Sequence, residues 1–287
     1  MERQAAGTVH SVFPSSCNLQ FGERLVHLGT GEQGGLPFSV IVDEKQLSDM
    51  LPCLSPNDSV SWNARDKEIF FPALNIRVSF QGGLSFRSEA KAYPVEKALL
   101  KSGIVALIEI VSWWNDCNGF GESVTETVLG MLEPEASVTS TPLVHELGKL
   151  QNAYGQLNPE AFLEAAQYFI GRGKGLTPSG DDLLIGYLAA AATNGAPLRE
   201  ILHKLQALLD SSGSQRTTRI SLEYLHFAVR NQFSSSLLRL CEAVFTGNLN
   251  EVRQAADIVL GTGHTSGLDT VTGVLAFLIP LIEGEAK

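Results

Sequence analysis

No run of lysines or arginines, no C-x-x-C pair and no apolar stretch of bilayer length occurs in this chain. Acidic residues outnumber basic ones, 31 to 21, and the net charge is −10. Without a basic stripe, nucleic acid and acidic membrane surfaces are not expected partners. A small anion is still compatible, because a few local donors outweigh a screened distant field. The longest apolar run, Val274 to Ile282, is far short of the roughly 20 residues that span a bilayer. Cys17, Cys53, Cys117 and Cys241 are scattered, and the first residues lack the order of a signal peptide. The expectation is a reduced, cytoplasmic protein with buried or inert thiols. His10, His27, His145, His203 and His226 show no zinc-ligand spacing. No nucleophile elbow and no Walker A loop is present.

What is present is a well-buried globular composition, with 44% hydrophobic and 18% charged residues in 287. That length implies one large or two fused domains. Short β-branched and aromatic runs begin at Leu25, Pro37, Ser59, Glu68, Asn75 and Leu84. The glycine-rich stretch from Gly29 to Gly35 lies between two of them and reads as a flexible hairpin loop, and residues 81–83 read as a tight turn. From Pro94 the period becomes helical, first over 94–114. Further helices are expected at 122–132, 143–154, 159–171, 180–193, 197–211, 216–230, 233–246, 249–260 and 267–283. The fold class is α+β: a β-rich segment, barrel or small sheet, over 1–92, then a large helical domain over 93–287.

Two segments of the helical part resemble each other. Residues 171–188 read GRGKGLTPSGDDLLIGYL and residues 261–275 read GTGHTSGLDTVTGVL. With one gap, Thr177 aligns with Thr265, Ser179 and Gly180 with Ser266 and Gly267, Asp182 with Asp269, and Gly186 with Gly273. Each segment fits a capping box, serine at the N-cap and aspartate at the third helical position. Three features exceed capping. The mid-helix glycines Gly186 and Gly273 each cost about 1 kcal/mol against alanine, which implies close approach at equivalent places. Asp181 and Asp182 are adjacent where one carboxylate suffices, and Gly171 to Gly175 supplies backbone amides beside Arg172 and Lys174. Glycine loops opening onto helices handle anions or metals, so the two helix starts are expected to meet around one site.

Between the motifs, Thr217 or Thr218 caps a helix, and Arg216 and Arg219 can share a face and grip a carboxylate or phosphate. The same arginines suit a solvated surface equally well. His264, two residues before Ser266, is a candidate general acid or a backbone-capping loop residue. Trp113 and Trp114 read as core or interface residues at a helix end.

The strings GKGLTPSGDDLLIG, TTRIS and GHTSGLDTVTG resemble the AllH-like family, earlier known as domain of unknown function 2877. That resemblance implies a subunit of oxamate carbamoyltransferase in anaerobic allantoin breakdown, working with partner subunits. One partner is similar to the α-subunit of acyl-CoA synthetases. The implied reaction converts oxalurate and phosphate to oxamate and carbamoyl phosphate. Amides of Lys174, Gly175, Thr177, Ser179 and Gly180, and of Thr265, Ser266 and Gly267, are then candidate anion ligands, with Thr217 beside them. Lys174, Arg216 and Arg219 are candidates to neutralise charge. His264, Asp182 and Asp269 are the candidate catalytic residues, and Asp181, Asp182 and Asp269 the candidate ligands of Mg²⁺. Two other readings stand beside this one: a stand-alone Mg²⁺-dependent hydrolase or phosphotransferase, and a non-catalytic assembly subunit.

Overall fold

The computed structural model describes residues 4–32, 34–114, 117–133 and 141–283, without the side chain of Glu283. It contains two compact units, Met1–Ser88 and Glu89–Lys287. The chain passes from one to the other at 88/89 rather than 92/93. Residues 89–93 already belong to the helical unit. Ala90 N–H donates to Asn231 O (2.9 Å), Tyr93 N–H donates to Thr193 O (2.9 Å), and Glu89 bridges to Gln232.

The first unit is a curled sheet of seven strands. They are β1 (Gln4–Phe13), β2 (Ser16–Phe21), β3 (Arg24–Gly29), β4 (Ser39–Ile41), β5 (Ser59–Asn63), β6 (Glu68–Phe71) and β7 (Ile76–Ser79). Their order is β4-β3-β2-β1-β5-β6-β7. Side chains alternate across the pleat, so Cys17, Leu19 and Phe21 of β2 line the core with Val9, Leu28, Val60, Ile69 and Phe71. Leu47 and Met50 of a short helix, α1 (Glu44–Met50), also belong to that core. Asn18 is buried on β2, donating to Ser11 Oγ (3.0 Å) and bonding to His27 Nδ1 (2.9 Å). Burial lowers the pKa of His27 to about 4.

Two sequence expectations for this unit change, and three elements are new. Strands β1 and β2 and helix α1 were not anticipated, and residues 84–86 form no strand. The glycine-rich 29–35 stretch is not a hairpin loop, because β3 and β4 pair in parallel. The turn at 81–83 is present: Gly83 N–H donates to Phe80 O (3.2 Å), with Gly82 at φ 77°.

The second unit is helical: α2 (Lys97–Trp114), α3 (Val124–Leu132), α4 (Pro142–Gly155), α5 (Pro159–Phe169), α6 (Ser179–Thr193), α7 (Arg199–Arg216), α8 (Arg219–Ala228), α9 (Ser235–Thr246), α10 (Leu249–Leu260) and α11 (Ser266–Glu283). Side-chain caps set most of the starts. Ser123, Thr141, Asn158, Thr218, Ser234 and Asn248 each accept from a backbone N–H in the first turn. Helix α7 runs to Arg216, five residues beyond the expected 211, and α8 therefore starts only at Arg219.

Helices α6 and α11 form the centre. Ser179 to Ala191 of α6 and Val271 to Ile279 of α11 are buried. A helix apolar on all sides belongs in the middle of a helical body, not on its surface. Tyr187 of α6 packs in T-shaped contacts with Tyr154 and Phe277 and in a tilted one with Phe162. No described helix is long and apolar enough to cross a membrane. Trp113 is 87% exposed and Trp114 39%, so neither is a core residue: the last turn of α2 carries them outward. Cys17 and Cys241 are buried, whereas Cys53 and Cys117 are exposed, so only half of the thiols are sequestered. Burial pushes the two sequestered thiols up to about 12.

Candidate functional site

The two resembling segments adopt one backbone frame. In the first, Arg172 N–H donates to Phe169 O, and Arg172 O accepts from Gly180 N–H, both at 2.8 Å. In the second, Thr262 N–H donates to Val259 O, and Thr262 O accepts from Gly267 N–H, both at 3.0 Å. Each turn folds the start of a long helix back against the end of the preceding one. A Cβ on Gly180 would lie 2.0 Å from Phe169 O, and one on Gly267 2.0 Å from Val259 O. Further along, a Cβ on Gly186 would lie 1.9 Å from Thr270 O, and one on Gly273 1.9 Å from Leu183 O. Backbone therefore meets backbone at both crossings, which explains why the helix interiors tolerate glycine.

These crossings hold the starts of α6 and α11 side by side. Thr177 Oγ1 and Ser266 Oγ, one from each turn, are 2.8 Å apart. The serines are not N-caps, contrary to the capping-box expectation. Pro178 is the cap residue of α6 and offers no side-chain bond, and Ser179 and Ser266 are the first helical residues. Their hydroxyls reach across instead. Ser266 and Thr177 approach Asp182, while Ser179 and Thr265 approach Asp269. The carboxylate of the first motif thus faces the serine of the second, and the reverse.

The three aspartates have different roles. Asp181 is fully buried and takes hydrogen bonds from Gly171 N–H (2.9 Å), Ser221 Oγ (2.7 Å) and the Thr217 hydroxyl. Burial raises its pKa, and these three donors oppose the rise. It braces the first turn to α8. Asp269, 1% exposed, accepts from Gly119 N–H at Oδ1 (2.9 Å). Burial raises its pKa against the donors Gly119, Ser179 and Thr265. Asp182, 7% exposed, is raised well above the ordinary carboxylate range. Burial is the main cause, and the negative charge of Asp269 adds to it. The Oδ2 atoms of Asp182 and Asp269 are both buried and take no hydrogen bond. Tyr224 of α8 senses Asp182: burial and that carboxylate raise its phenol pKa.

The other expected residues are arranged around this floor. Arg172 to Leu176, including Lys174 and Gly175, and His264 are exposed. Arg216 lies on the surface, where its guanidinium donates to Ser212 Oγ (3.1 Å) and Gln167 Oε1 (3.3 Å). Arg219 opens α8 and is half-buried. Thr218, not Thr217, caps that helix (Ser221 N–H to Thr218 Oγ1, 3.1 Å), and its hydroxyl donates to Leu176 O. Asp181 turns both oxygens to its three donors, away from a shared ligand set with Asp182 and Asp269. Among the described residues no group of three or more His, Cys, Asp or Glu side chains is placed to hold a metal ion. Gly119, Ser221 and Tyr224 were not anticipated. Only the Asn118-Gly119 turn signal pointed toward the first of them.

Residues 1–85 match the family model of the AllH family N-terminal domain, and residues 169–278 match that of the oxamate carbamoyltransferase subunit AllH. No solved structure matches the chain. The C-terminal match contains both turns, Asp181 to Ser221, and the α6–α11 crossing. On these two matches, one in each compact unit, the chain belongs to the AllH family, a family of oxamate carbamoyltransferase subunits.

Proposed function

We propose that this chain binds the anionic reactant of an oxamate carbamoyltransferase reaction at the joined starts of α6 and α11. In this reading the overall change is oxalurate plus phosphate to oxamate plus carbamoyl phosphate. The contact between Thr177 and Ser266 carries it, because it brings two helix N-termini to one place. Each N-terminus carries about half a positive charge, although the N–H groups of Gly180, Asp181 and Asp182 in α6 and of Gly267 and Asp269 in α11 are already bonded within the turns and so are not free anion ligands. Lys174 on the exposed first turn adds a full one.

Two buried carboxyls beside an anion would repel it if both were ionised. Burial and the mutual proximity of Asp182 and Asp269 favour keeping a proton on Asp182, which removes that conflict. The same proton fits the chemistry. A phosphate oxygen forms a C–O bond to the ureido carbonyl carbon, and the C–N bond to the departing oxamate nitrogen breaks. Hydrogen phosphate gives up one proton and the leaving nitrogen takes one, so the change balances. Asp182 is the better proton carrier than His264, because it lies at the meeting point whereas His264 is on the exposed rim. Helix N-termini aimed at the developing oxyanion lower the barrier. The remaining catalytic parts come from partner subunits.

The test is a thermal-shift panel on the full chain with phosphate, carbamoyl phosphate and oxalurate. Mass action raises the melting temperature for a ligand that binds the native state. A shift with at least one of the three is expected; no shift with any of them contradicts the reading. In the reassembled enzyme, Asp182→Asn is expected to lower turnover by about a hundredfold or more.

A further inference from the structure

The anion reading leaves one feature unused. At the floor between the two turns, Asp182 Oδ2 and Asp269 Oδ2 are buried acceptors without donors. Leaving a buried acceptor unsatisfied costs about 1–3 kcal/mol, more when it is charged. Neighbouring hydroxyls from both turns are at hand, yet the Thr177–Ser266 pair bond to each other and Gly119 N–H goes to Asp269 Oδ1. Hydroxyls of both turns thus approach the two carboxyls, yet each keeps one buried oxygen, Oδ2, without a donor. Around them lie the positive ends of two helix starts.

We infer that Asp182 and Asp269 receive the N–H groups of the ligand's carbamoyl or amide end, while the helix N-termini take its anionic end. This rests on the anion site proposed above and deepens it. The ligand class is a small anion bearing a primary amide, –CO–NH₂, next to its carboxylate or phosphate. The division of labour follows from hydrogen-bond polarity. An amide nitrogen only donates and an ionised carboxylate or phosphoryl oxygen only accepts, so each end of the ligand meets its complement. One proton kept on the carboxyl pair leaves acceptor oxygens free for the amide N–H. Both Oδ2 atoms are closed to solvent, so the turns over them must part for entry. Those turns carry Gly173, Gly175 and Gly263 at positive φ, 120°, 93° and 63°.

The inference makes the two aspartates specificity residues with a sharp readout. Replacing –NH₂ by –CH₃ changes hydrogen bonding and little else. Oxamate and pyruvate form one such pair, carbamoyl phosphate and acetyl phosphate another. A site built to hydrogen-bond an N–H discriminates strongly against an analogue without it, because its buried acceptors stay unpaired.

Calorimetric titration of the full chain with both pairs and with inorganic phosphate decides it. The amide member of each pair is expected to bind at least about tenfold more tightly. In Asp182→Asn and in Asp269→Asn, each near-isosteric, that ratio is expected to fall to within about threefold. Phosphate affinity should change little in Asp182→Asn, because that carboxyl already holds a proton, and should stay the same or rise in Asp269→Asn, where a negative charge is removed. If one variant does not fold, the other and the wild-type ratios still decide. Equal binding of amide and methyl partners by the wild type overturns the inference and leaves the anion site standing. So does a preference that survives both substitutions. Absence of binding by phosphate and by all four ligands overturns the anion site as well.

Discussion

The two turns that meet at the centre of the helical unit share a frame but differ in one brace. Both have the same backbone bonds, the same glycine crossings and an aspartate aimed at the other's serine. The first alone has a longer loop, with Lys174 in it, and a second aspartate, Asp181, where the second turn has Leu268. What they share builds the crossing and the carboxyl pair. What differs ties one turn to α8 through Thr217 and Ser221. The shared part therefore makes the crossing on which the proposed site rests, and Asp181 braces one side of it.

That comparison can be broken most severely at the glycines. Gly186→Val and Gly273→Val would each drive a side chain into a backbone carbonyl, and about 3 kcal/mol or more of stability is expected to be lost in each. Denaturant unfolding measures it. Similar losses in both support the equivalence of the crossings, whereas a loss in one alone breaks it.

Asp181→Leu copies the second turn into the first. It strands Gly171 N–H and the buried Ser221 hydroxyl, so about 2–4 kcal/mol is expected to be lost, again by denaturant unfolding. A neutral result would show that the brace is dispensable and the turns interchangeable.

Asp182→Asn sharpens the comparison through pH. The folded-state pKa of Asp182 lies well above its ordinary 3.8, so the folded protein binds the proton more tightly than the unfolded chain. Wild-type stability then falls as pH rises from near 3.8 through the raised pKa, and is level above it. The variant lacks this decline. Its melting temperature relative to wild type is expected to climb across that window and then hold. A constant difference across pH would contradict the shifted titration. Phosphate binding by the wild type should weaken over the same window, as Asp182 becomes an anion.

The smallest effects are at the rim. Ser266→Ala removes one cross-turn hydroxyl and is expected to cost about 1 kcal/mol. Arg216→Ala removes only exposed bonds to Ser212 and Gln167, and its melting temperature is expected to stay near wild type.

Much of the helical unit was legible because its apolar period is long and its caps are of the ordinary kind. Strands β1 and β2 were not, because QAAGTVHSVF mixes small and polar residues and leaves little alternation to detect. Nor does any local pattern distinguish a parallel β3–β4 pair from a hairpin. The spacing of Gly180, Asp182 and Gly186 against Gly267, Asp269 and Gly273 foretold that the turns meet. It did not foretell the crossed serine–aspartate contacts, since a serine two or three residues before an aspartate also reads as a cap. Adjacent residues on a helix point about 100° apart, so the pair Asp181-Asp182 had to split between two neighbours. Which faced which depended on where α8 lay. Gly119 was invisible for the plainest reason: it is 150 positions from the carboxylate it serves.

The central claim is that two turns from one chain hold a single ligand between them. A crystal structure of the full chain with oxamate tests it most directly. The account predicts the carboxylate at the positive ends of α6 and α11, with the amide nitrogen against Asp182 and Asp269. Oxamate bound by one turn only, or at a different part of the helical unit, would contradict it.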